Sequence, residues 1–113
     1  MNKIILIGRL VKENELTESK DGKTKILRNV IATRRKGEDE SDFINVTFLG
    51  KSAELVNEYT DKGNRIGIEG ELHITNYEDE DGNYKNYINV LVTSVDLIDF
   101  REEEKKTKKT YKK

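Results

Sequence analysis

Apolar and polar residues alternate with period two over most of the chain, the pattern of strands that bury one face. It predicts five strands, over residues 2–10, 25–33, 42–49, 66–77 and 84–100. Turn signals separate them. Lys20-Asp21-Gly22-Lys23 precedes the second strand, and Asp81-Gly82-Asn83 joins the last two, where glycine accepts the positive φ of a hairpin turn. Gly8 and Gly70 fall inside strands, which marks bulges or sharp bends of a curling sheet. One stretch has helical spacing instead: Ala53, Val56 and Tyr59 form an inward stripe, Ser52 is placed to cap its start, and Gly63 to stop it in a left-handed conformation. This order of elements predicts an all-β OB-fold, a five-stranded Greek-key barrel with one short helix between strands three and four. The strand face and loops of such barrels commonly bind oligonucleotides or oligosaccharides.

Two rings break the core pattern. In Ser41-Asp42-Phe43-Ile44-Asn45-Val46-Thr47-Phe48-Leu49 the core series is Ile44, Val46, Phe48, so Phe43, Asn45, Thr47 and Leu49 face the other way. In the segment from Ile68 to Tyr77 the core series is Ile68, Leu72, Ile74, which sends His73, Thr75 and Tyr77 outward together. Arg34-Arg35-Lys36 carries the second strand into the loop before Phe43. Flat rings on a solvent face beside cations suit the stacking of unpaired bases and the holding of their phosphates. The plainer alternative is that a twisted barrel or a second subunit buries Phe43 and Tyr77 as ordinary packing.

At 113 residues and 34% hydrophobic, the chain has room for one domain with a small core, expected over residues 1–100. It contains no cysteine, which excludes disulfides, thiolate metal sites and a cysteine nucleophile. The apolar run Ile4-Ile5-Leu6-Ile7 is too short for a signal sequence or a membrane span, so a soluble, cytoplasmic protein without membrane contact is expected. The net charge of -1 conceals an asymmetry: residues 105–113 hold six lysines and no acid, which leaves -7 on the remainder. Residues 101–113, where charge replaces periodicity, read as a disordered lysine-rich tail. An acidic barrel argues mildly against nucleic acid on overall electrostatics, so a binding role rests on local placement of rings and cations.

Other motifs fail on inspection. Gly50-Lys51-Ser52 follows a strand and opens a helix, but a phosphate-binding P-loop needs a glycine five positions before Gly50, where Asn45 stands. Glu78-Asp79-Glu80-Asp81-Gly82 resembles a calcium loop, yet aligning Gly82 with the loop glycine puts Tyr77 and Ile88 at ligand positions. His73, the only histidine, has no nucleophile placed beside it by the pattern. No catalytic constellation remains, and neither enzymatic activity nor a metal or cofactor is expected.

The opening Asn2-Lys3-Ile4-Ile5-Leu6-Ile7-Gly8-Arg9-Leu10, the segment Asp42-Phe43-Ile44-Asn45-Val46, then Leu49-Gly50-Lys51-Ser52-Ala53-Glu54, Tyr59, Lys62-Gly63 and Ile68-Glu69-Gly70-Glu71-Leu72 together resemble bacterial-type single-stranded DNA-binding proteins (SSB). The resemblance runs from residue 1 to about residue 100. It implies an OB-fold usually assembled as a homotetramer, with a dimer as the other symmetric choice. Such a protein binds single-stranded DNA without strong sequence preference in replication, recombination and repair, associated with the nucleoid. It implies base-stacking roles for Phe43 and Tyr77 and phosphate contacts for Lys51 and Lys62.

The departures are equally specific. Leu49 and Lys36 stand where the family commonly has two further stacking rings, and His73 and Thr75 where it is often basic. Binding is therefore expected to be weaker, or to lean on Arg34, Arg35 and Lys36. The lysine ending replaces the acidic tip through which family members recruit other proteins, which implies a shortened chain or a divergent member, for example from a phage or mobile element. The alternative reading is an adaptor of primosome type, an OB-fold module whose same face meets a protein and binds DNA weakly.

Overall fold

The computed structural model describes residues 1–100, and the lysine-rich tail expected over 101–113 lies outside the described residues. Seven elements follow one another: β1 (Ile4–Leu10), β2 (Leu16–Glu18), β3 (Lys25–Arg34), β4 (Ser41–Leu49), α1 (Lys51–Tyr59), β5 (Arg65–Glu78) and β6 (Tyr84–Leu97). The five expected strands and the helix are all present. β2 is an addition that periodicity does not signal: three residues are too few to set an alternation, and it forms by pairing with Lys25–Leu27 across the turn at Gly22.

The strands form one sheet in the order β1-β5-β6-β4-β3-β2, which closes where Arg9 and Leu10 of β1 meet Ala32 and Ile31 of β3. β4 and β6 run parallel and every other pair is antiparallel. The inward series of each strand meets at the centre: Leu10, Leu27, Ile31, Val46, Phe48, Ile66, Ile68 and Val90 are buried, and α1 adds Ala53 and Val56. Beside the helix, buried Asn29 ties β3 to the β1–β2 connection. Its Oδ1 accepts from Lys12 N (3.0 Å), and its Nδ2 donates to Lys12 O and to Asn14 Oδ1 (both 3.0 Å).

Gly8 and Gly70 allow the close approaches that curl the sheet. A methyl group on Gly8 would overlap the Ala32 carbonyl, and one on Gly70 the Leu91 carbonyl. At Gly70 the β5–β6 register skips Thr93, whose hydroxyl donates to the Glu69 carbonyl at 3.0 Å, forming the bulge.

Three local expectations are corrected. The helix is preceded by Gly50, at φ 63°, with no side-chain cap, so Ser52 lies inside the first turn. Gly63 does adopt a positive φ of 91°, but the helix has already ended at Tyr59 with extended Thr60, and Gly63 serves the following turn. Ile74, expected in the core, is 53% exposed, because the β5–β6 hairpin outruns the barrel and leaves Ile74 and its cross-strand partner Ile88 beyond any covering layer.

Candidate nucleic-acid interface

The outward residues of β3, β4, β6 and β5 share one face, and hydrogen bonds and register fix how they align. Arg28 stands opposite Thr47 in the β3–β4 ladder. The Thr47 hydroxyl donates to Asn89 Oδ1 of β6 at 3.0 Å, and Asn89 stands opposite His73 of β5. A polar row thus crosses all four strands.

A row of rings runs beside it. Phe43 is 67% exposed on β4, and Tyr77 is 47% exposed on β5. Both point outward, as the alternation requires. Tyr87 of β6 joins them: it stands opposite Thr75, so it lies on the face that bears His73, Thr75 and Tyr77, and it is 44% exposed. Lys85, opposite Tyr77, ends the row, its Nζ 3.5 Å from the Asp79 carboxylate.

Tyr87, Lys85 and Arg28 are the face residues that the sequence reading passed over. Burial of Val90 and Val92 sets the phase of β6, and burial of Leu27 and Ile31 that of β3, which turns all three residues to this face.

The predicted cations are held differently from one another. Arg34 and Arg35 reach the loop edge of this face already paired: Arg34 Nη2 lies 3.3 Å from Asp39, and Arg35 faces Asp42 at 2.9 Å, Glu40 at 3.7 Å and Glu38 at 3.9 Å. The hydrogen bond to Asp42, then its charge, raises the Arg35 pKa above the ordinary arginine value. Lys36 is exposed in the same loop. His73 lies 3.1 Å from the Glu71 carboxylate. Leu49 is partly exposed at the opposite end of β4 from Phe43, facing Ile26.

Lys51 and Lys62 are exposed but apart from the rings. Lys51 lines a groove along α1 with Glu54, Glu58 and Tyr59, and Lys62 lines a polar cleft with Asn14, Thr60 and Asp61. Arg34 also borders, with Arg9, Arg65 and Ser41, a groove where β1 meets β3. There Arg65 is hydrogen-bonded to Asp99, which raises its pKa.

A curled OB barrel that presents rings and polar side chains on an open strand face belongs to the oligonucleotide- and oligosaccharide-binding class of folds. Comparison narrows the class. A family model described as the single-strand binding protein family matches residues 1–98. The chain is 37% identical over 100 residues to a single-stranded DNA-binding protein of Clostridium perfringens, covering 88% of this chain and 67% of that one. It is also 37% identical over 108 residues to single-stranded DNA-binding protein 1 of Clostridium acetobutylicum, covering 91% of this chain and 98% of the relative. Single-stranded DNA-binding protein 2 of Staphylococcus aureus is 36% identical over 103 residues, covering 88% and 73%. This chain belongs to the single-strand binding protein family. Its fold is shared with the crystal structure of the mitochondrial single-stranded DNA-binding protein Rim1 from S. cerevisiae, at a TM-score of 0.73 and 20% identity, covering 86% of this chain and 94% of that one.

Proposed function

We propose that this protein binds single-stranded DNA without sequence preference and shields it during replication, recombination and repair, acting as a binding protein and not as a catalyst. Bases stack on Phe43 and Tyr77, while Arg28, Arg34, Arg35, Lys36 and Lys85 hold the backbone around them. Leu49, Lys51, Lys62 and His73 lie along the path by which the strand leaves the rings. The observation that carries this reading is the exposure of Phe43 and Tyr77 on one strand face of a chain that belongs to the single-strand binding protein family. Neither ring contributes to the core, so their outward placement is explained by a ligand that offers flat partners.

The working form is an oligomer, a homotetramer. β1 pairs with β5 along Ile4–Arg9 and with β3 only at Arg9 and Leu10, so most of its other edge is open. Ile5 and Ile7 are exposed beside that edge, which favours burial against another copy.

Titration of a labelled oligothymidylate of about 35 nucleotides, long enough to span several OB sites, tests the reading. Tight, salt-sensitive binding by the wild type that falls by orders of magnitude in Phe43→Ala/Tyr77→Ala supports it. Weak wild-type binding, or equal binding by the variant, overturns it in favour of a protein-binding adaptor.

A further inference from the structure

We infer that Phe43 and Tyr87 are the two walls of a slot that takes one unpaired nucleobase, with Tyr77 as the next platform along the same strand path. The inference rests on the single-stranded DNA reading above and adds a stacking residue to it.

The slot follows from how β4 and β6 part. The two strands are paired in parallel at Val46–Val90 and Thr47–Leu91. Continuing that register toward the strand starts brings Phe43 level with Tyr87, but the ladder has ended by then. The Asn45 side chain spans the parting, its Nδ2 donating to the Ile88 carbonyl at 3.2 Å. Between the separated strands lies a cleft of about 340 Å³ lined by Phe43, Ile44, Asn45, Asn86, Tyr87 and Ile88. Its size is near the lower end for pockets that hold small organic molecules. A ring on either strand, with Asn45 and Asn86 supplying polar groups between them, suits a flat guest with polar edges.

The position of Tyr77 extends the same logic. Thr75 faces Tyr87 and Tyr77 faces Lys85, so the two tyrosines are diagonal neighbours on one face of the β5–β6 ladder. Diagonal neighbours are within reach of aromatic side chains. Phe43, Tyr87 and Tyr77 therefore form a continuous line of rings, and Lys85 sets a cation at its end. The competing account is that Tyr87 only packs across the hairpin. Its exposure and its place in an open cleft, away from the buried core, argue against a purely structural role.

The test compares binding of an oligothymidylate with binding of an equally long abasic strand, which keeps the phosphates and removes the flat guests. Wild type, Tyr87→Phe, Tyr87→Leu, Phe43→Leu and Phe43→Leu/Tyr87→Leu are measured, with thermal unfolding of each as a check on folding. Tyr87→Leu keeps apolar bulk without a flat ring and is expected to weaken oligothymidylate binding about 5- to 150-fold, the range for loss of one stacked base. Tyr87→Phe should bind as wild type does, and no variant should change binding of the abasic strand. The double variant should lose less than the product of the single losses, because both walls hold the same base. If Tyr87→Leu binds oligothymidylate like the wild type, or weakens both strands equally, the slot is wrong while the DNA-binding reading stands. If the wild type itself fails to bind oligothymidylate, both fall together.

Discussion

The Arg35 guanidinium lies 2.9 Å from the Asp42 carboxylate, one residue before Phe43, so the cation that the loop carries to this end of β4 is already partnered. Glu38 and Glu40 approach the same guanidinium, and Asp39 takes Arg34. The loop that carries these cations also brings three acids, and β4 adds Asp42, so a phosphate must displace a carboxylate to gain an arginine. All of these pairs are exposed, where ion pairs contribute little, so exchange is feasible.

Replacing Asp42 with Asn should therefore tighten single-stranded DNA binding severalfold. It should also steepen the dependence of log affinity on log salt by up to about 0.7, the increment for one further phosphate contact on a single strand. Isotherms at four salt concentrations check this. An unchanged affinity and slope would mean that Arg35 takes no part in binding.

Two phenylalanines on β4 should behave in opposite ways. Phe48 is fully buried, and Phe48→Ala should cost about 3–5 kcal/mol in urea unfolding. Phe43→Ala should leave stability within about 0.5 kcal/mol of the wild type, since its ring is open to solvent. Comparable losses at both positions would place Phe43 in a packing role.

Gly70→Ala should destabilise the protein by about 1–3 kcal/mol, because the added methyl meets the Leu91 carbonyl at the bulge. An unchanged unfolding midpoint would show that β6 yields at Thr93 at no cost.

Asn29→Ala should cost about 1–3 kcal/mol by leaving the Lys12 amide without its partner. A fluorescence or circular-dichroism melt reads the loss, and a neutral result would indicate that water replaces the amide.

Acid should loosen the turn between β2 and β3. The hydrogen bond from Lys25, then its charge, holds Glu18 below its ordinary pKa of 4.5, and the Ser19 hydroxyl and Lys23 amide hold Asp21 below 3.8. Folded-state values below the unfolded ones mean that this stabilisation is complete above the ordinary values and fades as pH falls through the folded ones. Both groups are exposed, so the effect is small. Glu18→Gln/Asp21→Asn should flatten the stability profile below about pH 4.5, and an identical profile would count against these contacts.

Much of this was legible in the alternation of single strands. Val46 and Phe48 point inward and Phe43 outward because neighbouring residues on a strand face opposite ways, and that holds whatever the rest of the fold does. Ile74 misled because alternation fixes a face without saying whether anything covers it; the barrel ends before the hairpin does. Tyr87 escaped because Tyr84-Lys85-Asn86-Tyr87 contains no apolar series to set its phase, which Val90 and Val92 fix only from further along. The pairing of Arg35 with Asp42 depends on how the loop at Gly37, with φ 77°, folds back, and residue spacing does not encode that. The short β2 exists only through its partner.

Asn45 gives the parting of β4 and β6 a meaning beyond topology. Backbone bonds would have drawn the strands to their usual separation of about 4.8 Å and brought Phe43 and Tyr87 together. Here a side-chain amide makes the link instead, and the cleft beside it belongs to the resting fold. A guest entering there need not prise two strands apart, so little of its interaction is consumed in reshaping the receptor.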